Sequence, residues 1–147
     1  MEFIRVTKDF KVVGIKGSGA FVNYGTEVPA LAKQLLNRSN EIPNHSGIEI
    51  ALFEPKRDSN HLEGDYYAGL IVNDTLNEVP LGMDYLEVTQ HFVTTRGKIS
   101  NLGNLHLGLL EWEIEQGYTR NLDSYIVETY HPMEDEEEEV QIYLPIN

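Results

Sequence analysis

The sequence contains no cysteine, few basic residues and no long apolar segment. Without cysteine, disulfides, thiolate metal sites and cysteine nucleophiles are excluded. No apolar run approaches the roughly 20 residues of a transmembrane helix, and residues 1–6 lack the basic and apolar regions of a secretory signal. We therefore expect a soluble cytoplasmic protein.

Acidic residues outnumber basic ones: 24 Asp and Glu stand against 11 Lys and Arg, which gives a formal net charge of −13. An acidic surface repels nucleic acids and anionic membranes, so we expect neither as a direct partner. Cationic ligands, in contrast, are attracted by it. Six consecutive acids at residues 134–139 supply part of the excess, and a solvated loop is the structure typical of such a run.

The helices are indicated by apolar residues at helical spacing, in a chain long enough for one domain, residues 1–147. The pattern predicts helices from residue 26 to about 36 and from 102 to 116. Thr26 is the expected cap of the first helix, with Pro29 in its first turn, where a missing N–H costs nothing. Gly117 is expected to end the second helix.

The strands are indicated by segments rich in β-branched and aromatic residues. Gly17 and Gly19 are expected to break the first strand, and Arg96 and Gly97 to end the fourth. Strands are predicted at residues 3–16, 48–53, 66–72, 85–94, 124–130 and 140–144.

The order strand, helix, strand, strand occurs twice, in residues 1–78 and 79–147, which predicts an α+β fold built by duplication. An offset of 77 positions lays Phe53 on Tyr130 and Ala51 on Glu128. If the halves pack about a pseudo-twofold axis, their junction forms a cleft. A side chain that breaks the symmetry there is a candidate for function.

Glu128 is such a side chain. On a strand, Ile126, Glu128 and Tyr130 share one face and Val127 lies on the other, so the carboxylate stands among apolar and aromatic neighbours. A carboxylate in such surroundings is paired, solvated through a cleft, or placed for a ligand. The alternative is structural: Glu128 accepts a hydrogen bond from a tyrosine or a lysine and has no further role.

Several short motifs resemble the GyrI-like (gyrase-inhibitory-protein-like) family, which is similar to the effector-binding domains of AraC-type and multidrug-sensing bacterial transcription regulators. The motifs are VVGI (12–15), YYAG (66–69), VPLG (79–82), LLEW (109–112), QGY (116–118), YIVETY (125–130) and IYLPI (142–146). The resemblance implies an antiparallel sheet with two helices on one side. No helix-turn-helix segment is present in the sequence, so a role in transcription would need a separate regulator chain.

The resemblance also implies a cleft for flat, often cationic aromatic compounds, with an acidic floor at Glu128. The positions that match its aromatic walls are Tyr66, Tyr85, Trp112 and Tyr130. No cofactor is implied. No metal site is predicted either, because the five histidines show no ligand spacing; they are His45, His61, His91, His106 and His131.

Three functions are compatible with these features. The first is a stand-alone binding protein for lipophilic, often cationic aromatic molecules, serving xenobiotic sensing or sequestration. The second, which the resemblance also implies, is a hydrolase of cyclopropane-type electrophiles with Glu128 as general acid and base. The third is binding of a protein partner, gyrase or a regulator, through the acidic run.

Overall fold

The structure, a computed structural model, describes residues 2–147. The described residues form six strands and two α-helices, and a short 3-10 turn leads into each helix. In chain order the elements are β1 (Ile4–Ala20), α1 (Tyr24–Leu36), β2 (His45–Phe53), β3 (Glu63–Val72), β4 (Asp84–Lys98), α2 (Leu102–Gln116), β5 (Ile126–His131) and β6 (Glu139–Ile146).

The six strands form one antiparallel sheet in the order β1-β3-β2-β5-β6-β4, and β4 pairs with β1 to close it. The predicted α+β class with an antiparallel sheet is confirmed. Strand, helix, strand, strand follow one another twice, as predicted. Exchanging β1, β2 and β3 for β4, β5 and β6 leaves the strand order unchanged, which agrees with pseudo-twofold symmetry. The duplication and its boundaries stay predictions.

The two faces of the sheet have different neighbours because side chains alternate along each strand. Val12 and Val127 lie on the enclosed face, in a core that contains no helix residue; its other buried members are Phe10, Ile50, Leu52, Tyr67, Phe92 and Tyr143. Both helices cover the opposite face. Leu35 of α1 and Leu109 of α2 are fully buried there. The prediction of two helices on one side is confirmed.

Two strands, β1 and β4, end four residues later than predicted. β1 continues through Gly17 and Gly19 to Ala20, and β4 continues through Gly97 to Lys98. Gly17 lies opposite Tyr66 in the β1–β3 ladder, and a Cβ atom at Gly17 would clash with the ring of Tyr66. A Cβ atom at Gly97 would lie 2.8 Å from Leu105 Cδ2. These glycines therefore allow close packing inside a strand and do not end it.

The start of α1 also differs from the prediction. α1 begins at Tyr24 after Asn23, so Thr26 is not its cap, and Pro29 lies in the second turn. In contrast, α2 runs from Leu102 to Gln116 as predicted, and Gly117 ends it with a φ of 77°. Within residues 2–147, no helix combines the length and the apolar character needed to cross a membrane.

The acidic run is a solvated loop only in part. Residues 134–137 are exposed, but the last three acids each contact the rest of the molecule, Glu138 through its backbone carbonyl, which accepts a hydrogen bond from the Ile99 N–H. Glu137 Oε1 accepts a hydrogen bond from the Ser100 N–H at 2.6 Å, next to the start of α2. Glu139 Oε1 lies 2.6 Å from Arg96 Nε. Partner binding through this run stays a prediction.

Candidate functional site

A cavity of about 900 Å³ lies between α1 and α2, over β2 and β5. Its size is within the range of small-molecule pockets, roughly 300–1,000 Å³. Residues from both halves of the chain line it, as the predicted cleft requires. They include Tyr24, Val28, Ala32, Phe53, Leu102 and Ile126 around the walls, with Ala51, His106, Glu128 and Tyr130 towards the floor.

The floor is formed where β2 pairs with β5. Ala51 is the direct cross-strand partner of Glu128, and both residues are buried, at 2% and 6% exposure. Alternation along β5 places Glu128 on the helix-covered face together with Tyr130. The methyl group of Ala51 leaves open the space that a larger side chain would fill.

Both oxygens of the Glu128 carboxylate have a partner in the site. Tyr130 Oη donates a hydrogen bond to Oε1 at 2.6 Å, and His106 Nε2 lies 2.6 Å from Oε2. An ionised carboxylate only accepts hydrogen bonds, so an Nε2 atom that carries a proton can donate to it in this contact. The structural alternative expected Glu128 to accept a hydrogen bond from a tyrosine or a lysine, and the bond from a tyrosine is present. The same carboxylate also borders a cavity.

Acidic side chains outnumber basic ones in the cavity lining, and burial shifts the pKa of two of the ionisable groups there. Burial raises the pKa of Tyr130, and the adjacent Glu128 raises it further, so the phenol stays neutral. Burial also raises the pKa of Glu49, with a contribution from Glu138. Carboxylates exceed lysines among the lining residues, which include Glu49, Glu54, Glu128 and Glu138 but only Lys33 and Lys56 as fixed cations.

Of the five residues expected in the site, the structure brings Glu128 and Tyr130 together at the cavity. The other three are outside its lining. Tyr66 is buried behind α1, where its Oη donates to Glu27 Oε2 at 3.0 Å. Trp112 packs in the core under α2. Tyr85 lies against the apolar cluster of β1 and β3, and its Oη donates to Glu87.

Distant contacts explain these placements. The Trp112 ring stacks on Phe3 at a centroid distance of 5.8 Å, and Phe3 lies far from it in the sequence. Tyr24 and Phe53 provide aromatic surface in the cavity instead, with ring centroids 5.9 Å apart. Phe53 was identifiable in the sequence as the repeat-mate of Tyr130, but it was not assigned to the site.

His106 is the functional candidate that sequence reasoning missed. It lies four residues after Leu102 and three before Leu109, so it occupies the edge of the apolar stripe of α2. This helical spacing to Leu102 and Leu109 is the sequence feature that could have identified His106. In residues 2–147, no three His, Cys, Asp or Glu side chains are grouped so that they could hold a metal ion.

The comparisons with known proteins point to one fold. No protein-family model matches this chain, and no curated protein matches it in sequence. The solved structure of SAV2435 bound to tetraphenylphosphonium matches with a TM-score of 0.74 and 9% identity, covering 100% of this chain and 94% of the other. The EcmrR C-terminal domain matches with a TM-score of 0.63 and 16% identity, covering 100% and 99%. The chain has the GyrI-like fold.

A third match is a hydrolase from Listeria innocua, with a TM-score of 0.59 and 13% identity, covering 99% of this chain and 92% of the other. At such identities the likeness concerns the GyrI-like fold and not the activity. The chemistry available to this chain is set by its own side chains. A buried carboxylate with two proton-bearing neighbours can pair with a cation or exchange a proton.

Proposed function

We propose that this chain is a stand-alone binding protein for lipophilic, often cationic aromatic small molecules, which it senses or sequesters in the cavity above Glu128. The observation that supports the proposal best is the carboxylate itself: Glu128 is only 6% exposed and forms the floor of a cavity of about 900 Å³. The tetraphenylphosphonium complex of SAV2435, which has the same fold, adds support.

The energetic argument starts from desolvation. A carboxylate that has lost most of its water gains from a cation that replaces it. A lipophilic cation spreads its charge over a large apolar surface and therefore loses little hydration when it binds. The faces of Tyr24 and Tyr130 can each add about 0.5–2 kcal/mol through cation–π contacts. A site of this kind binds many compounds that share charge and shape.

Titration calorimetry with tetraphenylphosphonium tests the proposal, and the Glu128→Gln variant is the decisive protein. We expect E128Q to bind about tenfold more weakly than the unchanged protein, or weaker still, which is a loss of roughly 1.4 kcal/mol or more. Tetraphenylborate, an anion of the same shape, should bind much more weakly than the cation to the unchanged protein. The matched control is Glu111→Gln, which removes the same charge from an exposed position of α2 outside the cavity lining.

Equal affinity of the unchanged protein and E128Q for tetraphenylphosphonium would refute the role of the carboxylate. Equal binding of the cation and tetraphenylborate would refute selection by charge. In both cases the cavity would act as an apolar pocket without preference for cations.

Hydrolysis of strained cyclopropane electrophiles is the second candidate function, and one contact favours it. Two proton-bearing groups, Tyr130 Oη and His106 Nε2, each lie 2.6 Å from the Glu128 carboxylate. Such an arrangement can take a proton from water and return one to an opened ring. The test is to follow ring opening of a cyclopropane electrophile with the unchanged protein and with E128Q. Consumption no faster than in buffer would rule this activity out for that substrate.

A further inference from the structure

His106 contacts one oxygen of the Glu128 carboxylate, and Tyr130 contacts the other. It projects from α2, and its Nε2 atom lies 2.6 Å from Glu128 Oε2. The histidine side chain is 34% exposed, whereas the glutamate side chain is 8% exposed. A ring that carries a positive charge when protonated therefore reaches from solvent into the floor of the cavity.

We propose that His106 is a built-in counter-ion of Glu128, which competes with a cationic ligand when it is protonated and yields the carboxylate when it is neutral. This inference rests on the proposed function. An imidazolium at Oε2 occupies the position that the charge of a ligand needs, and the two charges repel each other. Ligand binding and protonation of His106 then exclude one another, so the cation affinity of the cavity follows the pH.

The surroundings of His106 allow the ring to leave. Its neighbours Leu105 and Leu109 are buried, at 2% and 0% exposure, and hold α2 against the sheet. A second cavity of about 270 Å³ lies beside His106, and Leu110 and Arg120 are among the residues that line it. Rotation of the side chain can move the imidazole out of the main cavity while the helix stays in place.

Other ionisable groups line the two cavities beside His106 and also influence the charge there. They are Glu128 and Tyr130 on β5, Glu49 on β2, Glu54 and Lys56 after β2, Lys33 on α1, Glu138 before β6 and Arg120 after α2. None of these residue types has an ordinary pKa in the neutral range, whereas histidine as a residue type does. Glu49, whose pKa is raised by burial and by Glu138, is the acid to separate from it by a variant.

Competition between a proton and the ligand sets how strongly the ligand affinity changes with pH. Each pH unit over which the blocking group takes up its proton lowers the apparent affinity by up to about tenfold. The ligand must also expel the proton that blocks it. In the pH range where the affinity falls, binding should therefore release up to one proton per ligand.

The test is a tetraphenylphosphonium titration at about pH 5.5, 6.5 and 7.5. The unchanged protein should lose about tenfold in affinity on acidification. His106→Gln keeps an N–H donor but does not titrate, so its affinity should change by no more than about twofold. His106→Lys carries a permanent charge and should bind weakly at all three values. The control His91→Gln alters an exposed histidine of β4 and should keep the tenfold change.

Calorimetry in two buffers of different ionisation enthalpy measures the released proton on the unchanged protein, so the inference does not depend on the folding of any variant. Equal pH dependence in the unchanged protein and H106Q, or binding without proton release, would overturn the inference and leave the proposed function standing. A pH dependence that disappears in Glu49→Gln and persists in H106Q would assign the effect to Glu49 and overturn it as well. No binding by the unchanged protein at any of the three pH values would overturn both.

Discussion

Ala51 and Glu128 lie directly opposite each other in the antiparallel ladder between β2 and β5. The two residues are also related by the 77-position offset of the two halves, as expected for a pair next to a pseudo-twofold axis. The pair is asymmetric in chemistry: a methyl group stands on one side and a carboxylate on the other. The small side chain is therefore as much a part of the proposed binding floor as the charged one.

Enlarging Ala51 should close the floor. In Ala51→Leu, we expect the affinity for tetraphenylphosphonium to fall about tenfold or more, because the added atoms occupy the space next to Glu128, at a cost in stability of about 1–3 kcal/mol. Titration calorimetry and urea denaturation measure the two effects. Ala30→Leu makes the same change at an exposed position of α1 outside the lining. Unchanged affinity in folded A51L would show that the ligand binds elsewhere.

Removing the Tyr130 hydroxyl should change the alkaline limb of the stability curve. The folded-state pKa of Tyr130 is raised by burial and by Glu128, whereas an unfolded tyrosine ionises near pH 10. The hydroxyl therefore contributes stability that is present below about pH 10 and is lost as the pH rises further, by up to about 1.4 kcal/mol per pH unit. Tyr130→Phe should lack this share of the loss.

Urea denaturation between about pH 8 and pH 11 measures the difference. At the lower pH, Y130F should also be about 1–3 kcal/mol less stable than the unchanged protein, since Glu128 Oε1 loses its donor. The comparison variant is Tyr118→Phe, whose tyrosine belongs to the turn after α2. Parallel curves for the unchanged protein and Y130F would contradict the prediction.

Local sequence signals located the elements better than their ends. The bounds of α2 were predicted because both signals are local, namely the apolar spacing and the left-handed Gly117. β1 and β4 were predicted too short because the reason for Gly17 and Gly97 lies in Tyr66 and Leu105, which meet them only in the folded chain. A glycine that ends a strand and one that makes room within it look alike in a sequence.

The same limit applies to the site. Alternation along β5 and the offset of the two halves indicate Glu128 as a candidate, and the resemblance adds Tyr130; both residues line the cavity, and their role stays a prediction. His106 was missed because its contact with Glu128 joins positions 22 residues apart on different elements. Trp112 was placed in the site by its motif, but its orientation is decided by Phe3 from the far end of the chain.

Replacement by alanine should have opposite effects on stability at Gly103, in the first turn of α2, and at Gly117, directly after the helix. A Cβ atom at Gly103 would meet nothing within 4 Å, and the residue is exposed in the first turn. Gly103→Ala should stabilise the protein by up to about 1 kcal/mol, because alanine has less backbone freedom to lose. Gly117→Ala should destabilise it by about 1 kcal/mol or more, because its φ of 77° is left-handed. Thermal unfolding measures both, and a destabilised G103A would contradict the first expectation.

Glu113 should limit the stability of the fold at neutral pH. Its side chain is 1% exposed in α2, and Oε2 has no hydrogen-bond partner within residues 2–147. Burial raises the pKa of Glu113, although Arg120 opposes the shift. Because the pKa of Glu113 is higher in the folded state, its contribution to stability is most favourable below the unfolded pKa of about 4.3. That contribution falls as the pH rises through the folded-state pKa.

Glu113→Gln should therefore be more stable than the unchanged protein at about pH 7.5, by about 1 kcal/mol, and the advantage should shrink as the pH approaches about 4. Urea denaturation at several pH values measures the difference. Glu115→Gln removes an exposed carboxylate two residues along the same helix, and it should show no comparable pH-dependent gain. If E113Q is less stable than the unchanged protein near neutral pH, the attraction of Glu113 to Arg120 outweighs its burial, and the buried carboxylate is a net stabilising group of α2.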